Sequence, residues 1–171
     1  MKTNVFSTVF LMLICSFALS AQEITPGFKA GVNFANLNSD ASTDMTTGYY
    51  IGFLADIRLS DKFHVQPEVL YSREGAKDVI LDYVKVPVIL KYYISEEFAL
   101  HAGPYASVIT GSTRNFQRFD AGAAAGLSYE FPFGLYTDAR YNFGVLDILN
   151  VQGLSAVRNS VIQVGIGYKF Q

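Results

Sequence analysis

His64 and His101 are the only histidines in the 171 residues, so imidazole base chemistry would have to use one of them. A hydrolase built on either needs a nucleophile and an orienting acid within hydrogen-bond reach. Glu68 and Ser72 share strand parity with His64, but Ser72 stands eight residues along, roughly 26 Å at the rise of a strand. The single thiol, Cys15, lies in an apolar N-terminal run, where bulky Leu13 and Ile14 do not suit a lipoprotein cleavage site. There is no His-x-x-x-His, no pair of cysteines and no glycine-rich phosphate loop opening a helix. Asp40 and Asp44 in NSDASTD fall short of the ligand count of a calcium loop. No catalytic, metal or cofactor-binding set is expected, and the chain reads as a non-enzyme.

A second group of residues suits mutual pairing. Lys29, Arg58, Lys85, Lys91, Arg140 and Lys169 make six positive charges, and Asp56, Glu68, Asp120, Glu130 and Asp138 make five negative ones. Each sits on the polar side of a segment with period-2 alternation, the signature of a strand with two unlike faces. From Ser160 to Phe170, for example, Ile162, Val164, Ile166, Tyr168 and Phe170 oppose Val161, Gln163, Gly165, Gly167 and Lys169. The same split places Phe28, Ala30, Val32 and Phe34 against Lys29, Gly31, Asn33 and Ala35. Eight such segments follow one another after Gln22, and no window carries a convincing helical stripe.

Half of the residues are hydrophobic, 16% are charged and the formal charge is -2. That composition excludes a disordered chain and disfavours a nucleic-acid binder, which needs a basic face. Lys2, the uncharged run from Val5 to Leu19 and the small Ala21 read as a secretory signal peptide over residues 1–21. A barrel domain over 22–171 follows.

Tight turns are expected around Asp61-Lys62, Ser95–Glu97 and Pro132–Gly134. Longer polar connections are expected over Asn38–Thr47, Gly111–Arg118 and Val145–Arg158, with an intermediate one near Gly75–Val79. Short turns at one end and long loops at the other describe an eight-stranded antiparallel up-and-down transmembrane β-barrel. A lipocalin-like secreted barrel would have the same alternation with the apolar face inward. The small, polar face suits the narrow lumen of eight strands, and the aromatics near strand ends on the apolar face suit membrane girdles. The expected location is the outer membrane of a Gram-negative bacterium. There the eleven charged residues named above would form a lumen network, because an unpaired charge in so narrow a space is costly. Arg114 and Arg118, with Phe116 and Phe119, fall in a surface loop that is either solvated or in contact with lipopolysaccharide phosphates.

The strings VQPEVLYSREGAK (65–77), DYVKVPVILKYYI (82–94), AGPYASV (102–108), GAAAGLSYEF (122–131), DARYNFGV (138–145) and VGIGYKF (164–170) resemble the outer-membrane β-barrel domain family abundant in Bacteroidetes. Its members are often called porin-family or PorT-like proteins. The resemblance covers essentially the whole chain after residue 21, and implies an outer-membrane barrel, commonly without a known substrate. Phe170, one residue before the last, resembles the aromatic signal read by barrel-insertion machinery. The expected role is structural or interactive, with outer-membrane lipid, lipopolysaccharide and an unidentified surface or periplasmic protein as partners. A narrow channel or secretion-associated component is the alternative, and a lipid-modifying enzyme a third. Pro67, Pro87 and Pro104 fall inside strands of a sheet without edges, so each calls for a bulge or a skipped ladder bond.

Overall fold

A computed structural model of the protein describes residues 23–38, 46–76, 79–110, 119–145 and 158–170. The segment read as a signal peptide, Cys15, Asp40, Asp44, Arg114 and Arg118 lie outside the described residues. Eight strands follow in order: β1 Ile24–Asn38, β2 Thr46–Arg58, β3 Phe63–Ala76, β4 Val79–Tyr93, β5 Phe98–Ile109, β6 Phe119–Glu130, β7 Leu135–Gly144 and β8 Arg158–Lys169. Each pairs antiparallel with the next, and β1 pairs with β8 to close the barrel.

Alternation decides what faces where. Outward positions carry Phe53, 74% exposed, with Ile51, Val69, Leu90, Leu100 and Ile166. Inward positions bury Lys29, Glu68, Lys85, Lys91, Asp138 and Arg140 beside Tyr50, Leu70, Tyr83 and Ile89. The molecule is thus apolar outside and polar within, the inverse of a water-soluble domain.

Residues 59–62, 94–97 and 131–134 join β2–β3, β4–β5 and β6–β7 at the end where β1 begins and β8 finishes. Ser60 and Ser95 each accept the backbone N–H three residues ahead, from Phe63 and Phe98, at 3.1 Å. Gly134 takes φ 86° in the third turn, a left-handed conformation that a side chain would strain.

One expectation changes, and at the prolines the skipped ladder bond is the alternative that holds. β3 runs to Ala76 and β4 starts at Val79, with Ala76 opposite Val79, so the connection read as intermediate is a tight one. The prolines do not create bulges. Pairing lapses where 55–56 oppose 66–67, where 68–69 oppose 86–87 and where 88–89 oppose 103–104, and the register is the same on either side of each gap. An inserted residue would shift that register; the missing N–H of Pro67, Pro87 and Pro104 only removes rungs from the ladder.

Candidate functional site: a lumen in three charged tiers

Inward parity brings side chains from all eight strands into one narrow space, where they sort into tiers by height. The inner tier lies at the turn end. Lys169 Nζ donates to both carboxylate oxygens of Glu130 at 2.7 Å and to Tyr93 Oη at 3.2 Å, and also pairs with Asp56. Lys91 Nζ reaches the same Glu130 at 2.5 Å, Tyr93 Oη donates to it at 2.6 Å, and His64 Nδ1 stands 2.7 Å from Asp56. Below this tier a cavity of about 1030 Å³ opens at the turn end, with Asp56, His64, Tyr93, Glu130 and Lys169 on its floor and Arg58 on its rim.

The middle tier links strands across the lumen. Arg140 presents both terminal nitrogens to Glu68 at 2.9 Å, a bidentate fork, and Nη2 lies 3.4 Å from Asp138. Lys29 Nζ donates to Asp138 at 2.7 Å and stands 3.9 Å from Glu68. Gln66 Nε2 adds a bond to Glu68 at 2.7 Å. Two cations and two carboxylates, all buried, balance one another here. Tyr50 and Tyr136 fill the remaining width by lying over glycine. A Cβ on Gly165 would collide with Tyr50 Oη, and one on Gly167 with the Tyr136 ring.

The outer tier is built differently. Lys85 pairs with Glu74 at 2.6 Å and lies over the rings of Tyr105 and Tyr83, at 4.9 and 5.6 Å from their centroids. Gln163, Asn33, Ser72 and Glu74 form a chain of hydrogen bonds at 2.7–2.8 Å. Asp120 is wholly buried on β6, and among the described residues no side chain donates to either of its oxygens. The hydroxyls of Tyr83 and Tyr105 are buried and have no hydrogen-bond partner among the described residues.

Ten of the eleven charged residues read from the sequence point into the lumen; Arg58 does not join them. It is the last residue of β2, so its side chain passes the end of the wall, stays half exposed and pairs with Asp61 at 2.8 Å and Glu23 at 3.4 Å. Glu74 is the interior carboxylate that the reading missed. Its parity with Ser72 was visible, but β3 continues beyond the segment that the alternation marked. The interior set therefore holds five cations and six carboxylates among the described residues. His64 and Ser72 are kept apart, His64 bound to Asp56 in the inner tier and Ser72 to Glu74 in the outer.

Comparison with solved structures gives several likenesses. Neisserial surface protein A is 19% identical with a TM-score of 0.58, covering 88% of this chain and 99% of that one. Ail, the attachment invasion locus protein of Yersinia pestis, is 16% identical with a TM-score of 0.56, covering 86% and 99%. A de novo designed transmembrane β-barrel is 14% identical with a TM-score of 0.52, covering 85% and 95%. These likenesses concern the fold. No curated protein sequence matches the chain. Over residues 7–170 the sequence matches the model of the outer membrane protein beta-barrel domain, so the chain belongs to that family and is an outer-membrane protein.

Proposed function

We propose that this outer-membrane barrel is a plugged anchor with a structural or interaction role, which holds its longer connections at the cell surface. The observation that supports it is the middle tier: Arg140, Glu68, Asp138 and Lys29 meet across the lumen with every carboxylate bonded. Moving a solute through would require parting buried charges, each of which loses several kcal/mol of compensation when separated (about 3–5 kcal/mol). Eight strands leave no wide aqueous channel in any case. Planar-bilayer recording on the purified, folded protein tests this, with no stable conductance above the bare bilayer expected. Large, steady openings would refute the plug.

The quoted strings support a place among the porin-family or PorT-like proteins of Bacteroidetes, with residues 1–21 removed on export. N-terminal sequencing of the protein recovered from membranes checks the second point. Lipopolysaccharide, the insertion machinery and a surface or periplasmic protein are the proposed partners, and no catalysis is proposed. A narrow conduit is the second reading. It is favoured by the cavity below the inner tier and by Tyr83, Tyr105 and Asp120 above the middle one, whose side chains meet no side-chain donor or acceptor among the described residues; both features suit water. On that reading the middle tier would be a gate, and small cation-selective currents would appear in the same recordings.

A further inference from the structure

Among the described strand side chains, two charged ones face outward, Arg73 on β3 and Asp82 on β4. Every other outward position described is uncharged, as expected of a wall in lipid. Arg73 and Asp82 are direct cross-strand partners, with Nε donating to Oδ1 at 2.7 Å and Nη2 to Oδ2 at 3.1 Å. The guanidinium carbon lies 5.5 Å from the centroid of the Tyr49 ring, and Tyr49 is 6.4 Å from Tyr71.

Height places this cluster. Phe63 and Tyr92 are also cross-strand partners on β3 and β4, with rings 5.1 Å apart at the turn end, and they form part of the inner girdle. Arg73 and Asp82 are each ten residues away along the same two strands. Ten residues span roughly 33 Å, which at a tilt of about 40° gives roughly 25 Å of height. That is about the full thickness of the apolar band of an outer-membrane barrel, so Tyr49 and Tyr71 belong to the outer girdle and Arg73 stands level with the headgroups beyond it.

Asp82 occupies two of the five N–H donors of a guanidinium and fixes its plane. The remaining donors belong to a side chain 39% exposed on the outer wall. A carboxylate-braced guanidinium beside two tyrosine faces offers charge-assisted bonds to a phosphate and flat surfaces to a sugar ring.

We infer that Arg73, braced by Asp82 and flanked by Tyr49 and Tyr71, is a docking site on the barrel wall for the phosphorylated sugar headgroup of an outer-leaflet glycolipid. The site uses neither Arg114 nor Arg118. It rests on the orientation proposed above, with the longer connections at the cell surface.

The test uses the full folded protein in phosphatidylcholine nanodiscs, with heat-modifiable migration as the check on folding. It is titrated with bisphosphorylated lipid A, with the same lipid A after phosphatase treatment, and with inorganic phosphate as competitor. Removing the phosphates from lipid A, or the substitution R73Q, is expected to weaken binding by on the order of tenfold. The pair R73Q/D82N, which leaves no lone carboxylate on the wall, should bind as weakly as R73Q. Equal binding of both lipid A forms by the wild-type protein overturns the site without recourse to any variant, as does a folded R73Q that binds like wild type. Competition by inorganic phosphate at the same concentration as lipid A overturns the lipid commitment. Protease cleavage within residues 146–157 from the periplasmic side alone overturns the orientation, and the site with it.

Discussion

The middle and outer tiers of the lumen share a wall, a width and a residue vocabulary, but they settle their charges in opposite ways. In the middle tier Lys29 and Arg140 face Glu68 and Asp138, and each carboxylate is held by more than one donor. In the outer tier Lys85 answers Glu74, and Asp120 has no side-chain donor among the described residues. The inner tier resembles the middle one, with Lys91 and Lys169 shared between Asp56 and Glu130. A narrow barrel therefore does not need charge balance at every height. Here the charges balance at the middle height; closer to an end, water can take the place of a counter-charge.

The largest effect should come from breaking the middle tier. Arg140→Met leaves Glu68 and Asp138 with Lys29 as their one remaining cation in that tier, and should lower stability by about 3–5 kcal/mol in urea unfolding of the folded barrel. The double substitution R140M/E68M, which removes both ends of the fork, should recover a large part of that loss. If the double variant is as unstable as the sum of the two single ones, the fork is not the coupled unit described here.

A smaller effect is expected from Gly165→Ala. The new methyl would press on Tyr50 Oη and stand 2.6 Å from the Ala30 carbonyl, a collision with side chain and backbone together. Overpacking of this kind should cost about 1–3 kcal/mol, read from the same unfolding curve. A Tyr50→Phe background should relieve part of it, since the hydroxyl is the nearest atom.

The smallest effect should fall on the outer tier. Asp120→Asn removes a buried charge with no side-chain donor among the described residues, so stability should stay the same or rise, by at most about 1 kcal/mol. Asp138→Asn, on a carboxylate that accepts from Lys29 at 2.7 Å, should be clearly destabilising. Similar losses for the two would show that the outer tier is as tightly paired as the middle one, and the contrast drawn between them would fail.

Much of this site was legible before any coordinates, because the two-residue period of a strand assigns each charge to a face without reference to its neighbours. That reasoning is weakest at strand ends. Arg58 has the parity of Asp56 but emerges at the rim, and Glu74 has the parity of Ser72 but lies beyond the segment where alternation was clear. Arg73 and Asp82 fall at such ends too, so their outward placement emerged from the extended β3–β4 pairing.

The alternation by itself determined that the chain is a strand protein and which side chains share a face. These are local properties, written in the order of residues along each strand. Which charges meet was decided by the tertiary structure alone. Arg140 on β7 meets Glu68 on β3, Lys29 on β1 meets Asp138 on β7, and Lys169 on β8 meets Glu130 on β6 and Asp56 on β2, all between strands that are not paired with each other in the wall. Such partners are set by the closure and stagger of the barrel, which fix the height of every strand against those across the lumen. No single strand carries that information.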